Sequence, residues 1–199
     1  MESTIPEETV LQLLNHIGDQ EKHFNGLEAQ YRLLASTWLL ACFGGIGFLL
    51  QSDKVFVIDP WILTGFIGLI GGVGIYLLWI MDIKVYHKLL HCVFIEGIKL
   101  EQKHDWLPKM RTEMLISQET GDVTRSTGLY YICSIAILLI VAVVSFSVHF
   151  MEMRVTILLC FAGGVVLWQV FQRMSAAGAN KTAAELRGKL LSKRKQDTT

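Results

Sequence analysis

The stretch that most constrains this chain is Trp61 to Met81, WILTGFIGLIGGVGIYLLWIM, twenty-one consecutive residues without a charge. A bilayer's hydrocarbon core needs about 20 apolar helical residues to cross it, so a run of this kind reads as a membrane span. Three further runs match it, Leu33 to Leu50, Gly128 to Met151 and Val155 to Phe171. The expected fold is an all-α integral membrane protein of four transmembrane helices. Within the first run Gly65, Gly68 and Gly72 are spaced three and four apart, which bares one helical face for close approach by a neighbouring helix.

The formal charge is zero, but its distribution is uneven and fixes an orientation. Two lysines or arginines fall in residues 1–32, seven in 82–127 and seven in 173–199, against Lys54 alone in the first hairpin loop and Arg154 alone in the second. By the positive-inside bias the N-terminus, the middle segment and the tail are all cytoplasmic, as an even number of spans requires. This places the chain as a multi-pass membrane protein with both termini cytoplasmic and the bilayer as its first partner. Trp38, Trp79, Tyr130, Tyr131 and Trp168 fall where an inner aromatic belt is expected, and Trp61 where an outer one is. The four cysteines form no CxxC pair. The first apolar run starts too late, and follows too acidic a leader, to be a secretory signal.

The division that follows is a cytoplasmic heptad helix over 1–32, a first transmembrane hairpin over 33–81, a cytoplasmic helix and loop over 82–127, a second hairpin over 128–172 and a basic tail over 173–199. Thr4-Ile5-Pro6-Glu7 resembles a capping box and predicts a helix start. From there Val10, Leu13, Ile17, Gln20, Phe24, Leu27, Tyr31 and Leu34 alternate by three and four, a seam that cannot stay in water and must meet another helix, a second copy or a partner. Its other face is acidic, with Glu7, Glu8, Asp19, Glu21 and Glu28 outnumbering Lys22 and Arg32. No breaker separates the seam from the first span, which predicts one helix from about Ile5 to Leu50. The second span likewise continues inward to Pro108, with Ile83, Tyr86, Leu90, Val93, Gly97, Leu100, His104 and Leu107 as its seam. Both helices are predicted to pack antiparallel as long cytoplasmic extensions of the first hairpin. Residues 108–127 read as a short helix or loop returning to the membrane. In the tail Lys189, Lys193, Arg194 and Lys195 are candidate lipid-headgroup contacts beside Leu186, Leu190 and Leu191. Nucleic acid is not an expected partner.

His87 and His91 have the spacing of a two-histidine metal clamp, but a metal needs two further ligands and none shares their face, so they read as histidines of a packed helix. No cofactor is expected. No nucleophile elbow, phosphate loop, HExxH or paired-carboxylate arrangement is present, and the chain is not read as an enzyme. The four runs contain no Asp, Glu, Lys or Arg, which argues against an ion-coupled carrier. A pore assembled from several copies stays open as a reading. Ser134, Ser145 and Gln169 are expected to hydrogen-bond between helices.

The entry into the first span, YRLLASTWLLACFGGIGFLL (Tyr31 to Leu50), and the layout over residues 5–107 resemble small bacterial membrane proteins of anti-phage defence operons. These are the two-span pore-forming effectors flanked by cytoplasmic helices and the four-span subunit of the Kiwa type. The second hairpin favours the four-span type. That resemblance implies a homo-oligomer of the bacterial inner membrane that works with a cytoplasmic protein partner and senses or executes membrane damage. Two alternatives stand beside it, a non-conducting anchor that recruits a soluble partner and a small-solute transporter, the latter disfavoured by the lack of buried charge.

Overall fold

A computed structural model describes residues 6–51, 58–117, 122–150, 163–165, 168–169, 172 and 181–197. Among these residues the chain is helical apart from short connections, and no strand occurs. Helix α1 runs unbroken over Glu7–Gln51, and its first turn is closed by the Pro6 carbonyl, which accepts from Thr9 N at 3.0 Å and Val10 N at 3.2 Å. Thr4 lies outside the described residues. Helix α2, Pro60–Trp79, starts on a cap in which Asp59 Oδ1 accepts from Trp61 N at 2.7 Å and Pro60 occupies the first turn. Without a break it passes through a π-helical segment, Ile80–Tyr86, into α3, His87–Lys103. The helices over Glu7–Gln51, Pro60–Lys103 and Ser126–Phe150 are long and apolar enough to cross a membrane. The fourth predicted run, Val155 to Phe171, falls mostly outside the described residues. Those of it that are described, 163–165 and 168–169, are helical.

The rod α2–α3 packs antiparallel to α1, and their contacts climb in step. Gly71 meets Cys42, Gly74 meets the Trp38 indole, Asp82 meets Arg32, Tyr86 stacks on Tyr31 at 5.0 Å, and His87 meets Glu28. Helix α5, Asp122–Phe150, lies on the other side of α2, also antiparallel. Gly65 and Gly68 face it, for a Cβ on Gly65 would stand 2.7 Å from the Phe146 ring and one on Gly68 2.7 Å from the Leu138 carbonyl. Gly71 completes this contact surface by fitting between Cys42 and Leu138, whereas Gly72 has nothing within 4 Å of where a Cβ would stand. The three-and-three spacing of 65, 68 and 71, not the step to 72, follows the close face. Trp79 and Tyr131, read as belt residues, lie inside the core with Ala35, Cys42, Ile75, Ile83, Ile135 and Leu138.

Beyond the π segment α1 and α3 form an arm. Helix α3 ends at Lys103, five residues before Pro108, because His104 turns extended. Lys109 Nζ folds back to the carbonyls of Glu101 and His104, which satisfies acceptors left free at the helix end. Helix α4, Met110–Ser117, and helix α6, Lys181–Asp197, then cover a second apolar stripe of α3. Phe94, Ile95 and Ile98 pack there against Leu115, Leu186 and Leu190. The sequence seam over α3 follows only the stripe that faces α1, where Leu90, Val93 and Leu100 are half-buried. On α1, Val10 and Ile17 are buried, and Gln20, Phe24, Leu27 and Tyr31 are half-buried.

A buried ion cluster at the root of the arm

Where arm meets bundle, three helices place ionisable groups against one another. Asp82, in the first turn of the π segment, is 0 % exposed. Its Oδ2 accepts from Arg32 Nε of α1 at 3.2 Å and from the Tyr131 hydroxyl of α5 at 3.0 Å, while the buried Oδ1 has no partner among the described residues. Arg32 Nη2 also donates to Glu28 Oε2 at 2.8 Å, and the other oxygen of Glu28 sits 3.1 Å from His87 Nδ1. Glu28 is 6 % exposed. One guanidinium thus faces two carboxylates, and the His87 ring stands against the second of them. Above it, the Ser36 and Tyr130 hydroxyls meet at 2.8 Å, a second tie from α1 to α5.

The local backbone explains how one rod serves both halves of the molecule. A π turn carries an extra residue, and the His87 amide accordingly reaches five residues back to the Asp82 carbonyl. One added residue rotates the helix beyond it by about 100° relative to the helix before it. That change of phase lets α2 address α1 and α5 while α3 addresses α1, α4 and α6.

A second polar knot holds the far part of the arm. Arg111 of α4 grips Glu21 of α1 with two bonds, Nε to Oε1 at 2.7 Å and Nη2 to Oε2 at 3.0 Å. Its side chain crosses α3 at Gly97, where a Cβ would stand 2.6 Å from Arg111 Cδ. Glu101, buried on α3, accepts from the backbone amides of Arg111 and Thr112, each at 3.0 Å, and from the Thr112 hydroxyl at 2.9 Å, so it caps the start of α4. The Glu21 hydrogen bond raises the pKa of Arg111 still further above its ordinary value.

Several residues singled out in the sequence stand elsewhere. Glu21 and Glu28 belong to these knots and not to a solvated acidic face. His87 turns to Glu28, and His91, one turn on, keeps a buried Nε2 without a hydrogen-bond partner among the described residues. Burial, aided by the neighbouring His87, holds the His91 pKa below the ordinary histidine value. Ser134 bonds back to the Tyr130 carbonyl of its own helix at 2.8 Å instead of crossing to another. Lys189 is exposed and pairs with Glu185 at 3.4 Å, while the side chains of Lys193, Arg194 and Lys195 lie outside the described residues. The apolar side of their helix is covered by α3 and α4.

Arg32 and Asp82 each fall one residue outside an uncharged run, where charges at span ends are ordinary, so the sequence does not single them out as a pair. The usable signal was their opposite sign at the matching ends of an antiparallel hairpin, with Glu28 one turn before Arg32. No protein-family model, curated protein or solved structure matches the chain. The fold and the cluster define its class: an all-helical protein with three helices compatible with a membrane, tied at one end by buried charge.

Proposed function

We propose that this protein is an oligomeric inner-membrane sensor or channel-like effector, with four spans, cytoplasmic termini and no enzymatic activity. In this reading a cytoplasmic event at the α1–α3 arm reaches the spans through the ion cluster. The observation that carries it is Asp82: a fully buried carboxylate, held from α1 by Arg32 and from α5 by Tyr131, at the π turn that joins arm to span. Ionisable groups at such depth are expensive and persist where they work. Moving α3 relative to α1 separates Arg32 from Asp82, and the uncompensated charge then favours a second packing of α5.

Membrane insertion is supported by the outward face of the three helices, where Leu33, Leu40, Phe48, Phe66, Ile70 and Ile140 are exposed. A specific observation favours the second reading, a non-conducting anchor for a cytoplasmic partner: Gly65, Gly68 and Gly71 bring α2 against α5 and α1 at van der Waals contact, so any lumen has to lie between copies. The setting in anti-phage defence rests on the architectural resemblance alone. Ion flux in liposomes carrying the purified protein, with and without Asp82→Asn, decides between the two. A change in flux on substitution supports the effector, and no flux from either protein supports the anchor. Phage challenge of cells expressing each variant tests the setting.

A further inference from the structure

Between α1 and α3 runs an open groove of about 820 Å³, floored by Leu13, Ile17, Val93 and Leu100, a volume within the range of about 300–1,000 Å³ typical of small-molecule pockets. Its rim carries Lys88 at one end and Lys103 at the other, fifteen residues apart, which on a helix is about 22 Å, the length of one extended long acyl chain. Neither lysine makes an ion pair among the described residues, while Lys99 between them is held by Glu96 at 2.6 Å. His91, whose buried Nε2 has no partner among the described residues, stands in the wall beside Lys88.

The charge of the rim and the apolar floor select the same occupant. We propose that this groove binds a single-chain anionic amphiphile, a long-chain fatty acid or an anionic lysophospholipid, with its acyl chain along the floor and its carboxylate or phosphate at the Lys88 end. The proposal rests on the membrane placement given above, which sets Lys88 seven residues beyond Met81, about 10 Å along the helix and level with lipid headgroups. An amphiphile leaving the inner leaflet enters there with its headgroup held at this level and its acyl chain turned away from the bilayer along the groove. Seated against both α1 and α3, it bears on the two helices that converge at the ion cluster, and so supplies a chemical class of trigger for the sensor.

The test uses the full chain in phosphatidylcholine nanodiscs and a diazirine-bearing oleate analogue, with crosslinks mapped by mass spectrometry. Crosslinks are expected within residues 13–20 and 88–103. Unlabelled oleate and lysophosphatidylglycerol should each compete, and zwitterionic lysophosphatidylcholine should not. Lys88→Glu with Lys103→Glu, both on the surface, should lower labelling there at least tenfold while helix content and elution volume stay unchanged. Labelling confined to the exposed apolar faces at Phe66 and Ile70, or undiminished by charge reversal, overturns the site. Displacement of the probe by an acidic amphipathic peptide but by neither anionic amphiphile overturns it in favour of a protein-docking groove. Oleate bound in the groove without effect on liposome flux leaves the site standing and refutes the sensor reading. Flux that responds to oleate equally in the charge-reversed variant refutes the site alone.

Discussion

The Tyr131 hydroxyl donates to Asp82 Oδ2 at 3.0 Å, the same oxygen that receives Arg32 Nε at 3.2 Å. A single carboxylate oxygen therefore joins α1, the π segment and α5. Breaking the Arg32 bond leaves the buried Asp82 carboxylate without its cation.

Arg32→Ala strands that charge. Removing one partner of a buried pair destabilises by about 3–5 kcal/mol, and the lower end applies because the Arg32 side chain is 37 % exposed. Arg32→Ala combined with Asp82→Leu removes both charges of the pair and should recover the part of the loss that Asp82 causes, while Glu28 keeps His87 as its partner. Denaturation of the four proteins of this double-mutant cycle in detergent measures the coupling, and additive losses would show that the two residues do not interact.

Close approach of α2 to α5 depends on Gly68. Gly68→Val sets a Cβ 2.7 Å from the Leu138 carbonyl and should cost about 1–3 kcal/mol or more, since backbone cannot yield as a side chain can. Gly72→Ala meets nothing within 4 Å and should stay within about 0.5 kcal/mol of the parent. Thermal unfolding of both variants checks the contrast.

Arg111→Ala frees α4 from α1 by removing two charge-assisted bonds to Glu21. The expected loss is about 1.5–3 kcal/mol, and limited proteolysis should cut near Met110–Ser117 faster in the variant.

His91 gives a pH dependence of definite sign. Its folded pKa is depressed, first by burial and then by His87, below the unfolded value, which is about 6.5. The unfolded chain therefore takes up the proton first as pH falls. This contribution is fully present above about pH 6.5 and is lost as pH drops toward the folded value. His91→Gln should flatten that part of the profile in denaturation series run from about pH 8 to about pH 5; an unchanged profile would assign the slope to other groups.

What could be read from the chain was local. Helix α1 over Glu7–Gln51 and the rod from Pro60 into α3 followed from apolar runs without breakers, because helix formation is decided within a few turns. The cluster was hidden because its bonds between helices join residues 49 to 59 positions apart, and only the Glu28–Arg32 contact is local. The two-stripe character of α3 was hidden for a related reason. A heptad pattern at Val93 and Leu100 describes one neighbour, and the stripe of Phe94, Ile95 and Ile98 acquires meaning only when Leu115, Leu186 and Leu190 arrive from distant helices. Gly72 shows the limit of motif spacing, since close contact fell on Gly71 one residue away.

Hydrogen exchange tests most directly whether strain in the arm reaches the bundle through buried charge. In the parent background, Arg111→Ala should raise amide exchange on α5 from Ser126 to Ser134, around Tyr131. In the Arg32→Met, Asp82→Leu background the same substitution should leave those amides unchanged. Equal increases in both backgrounds, or none in either, would contradict transmission through the Arg32–Asp82–Tyr131 cluster.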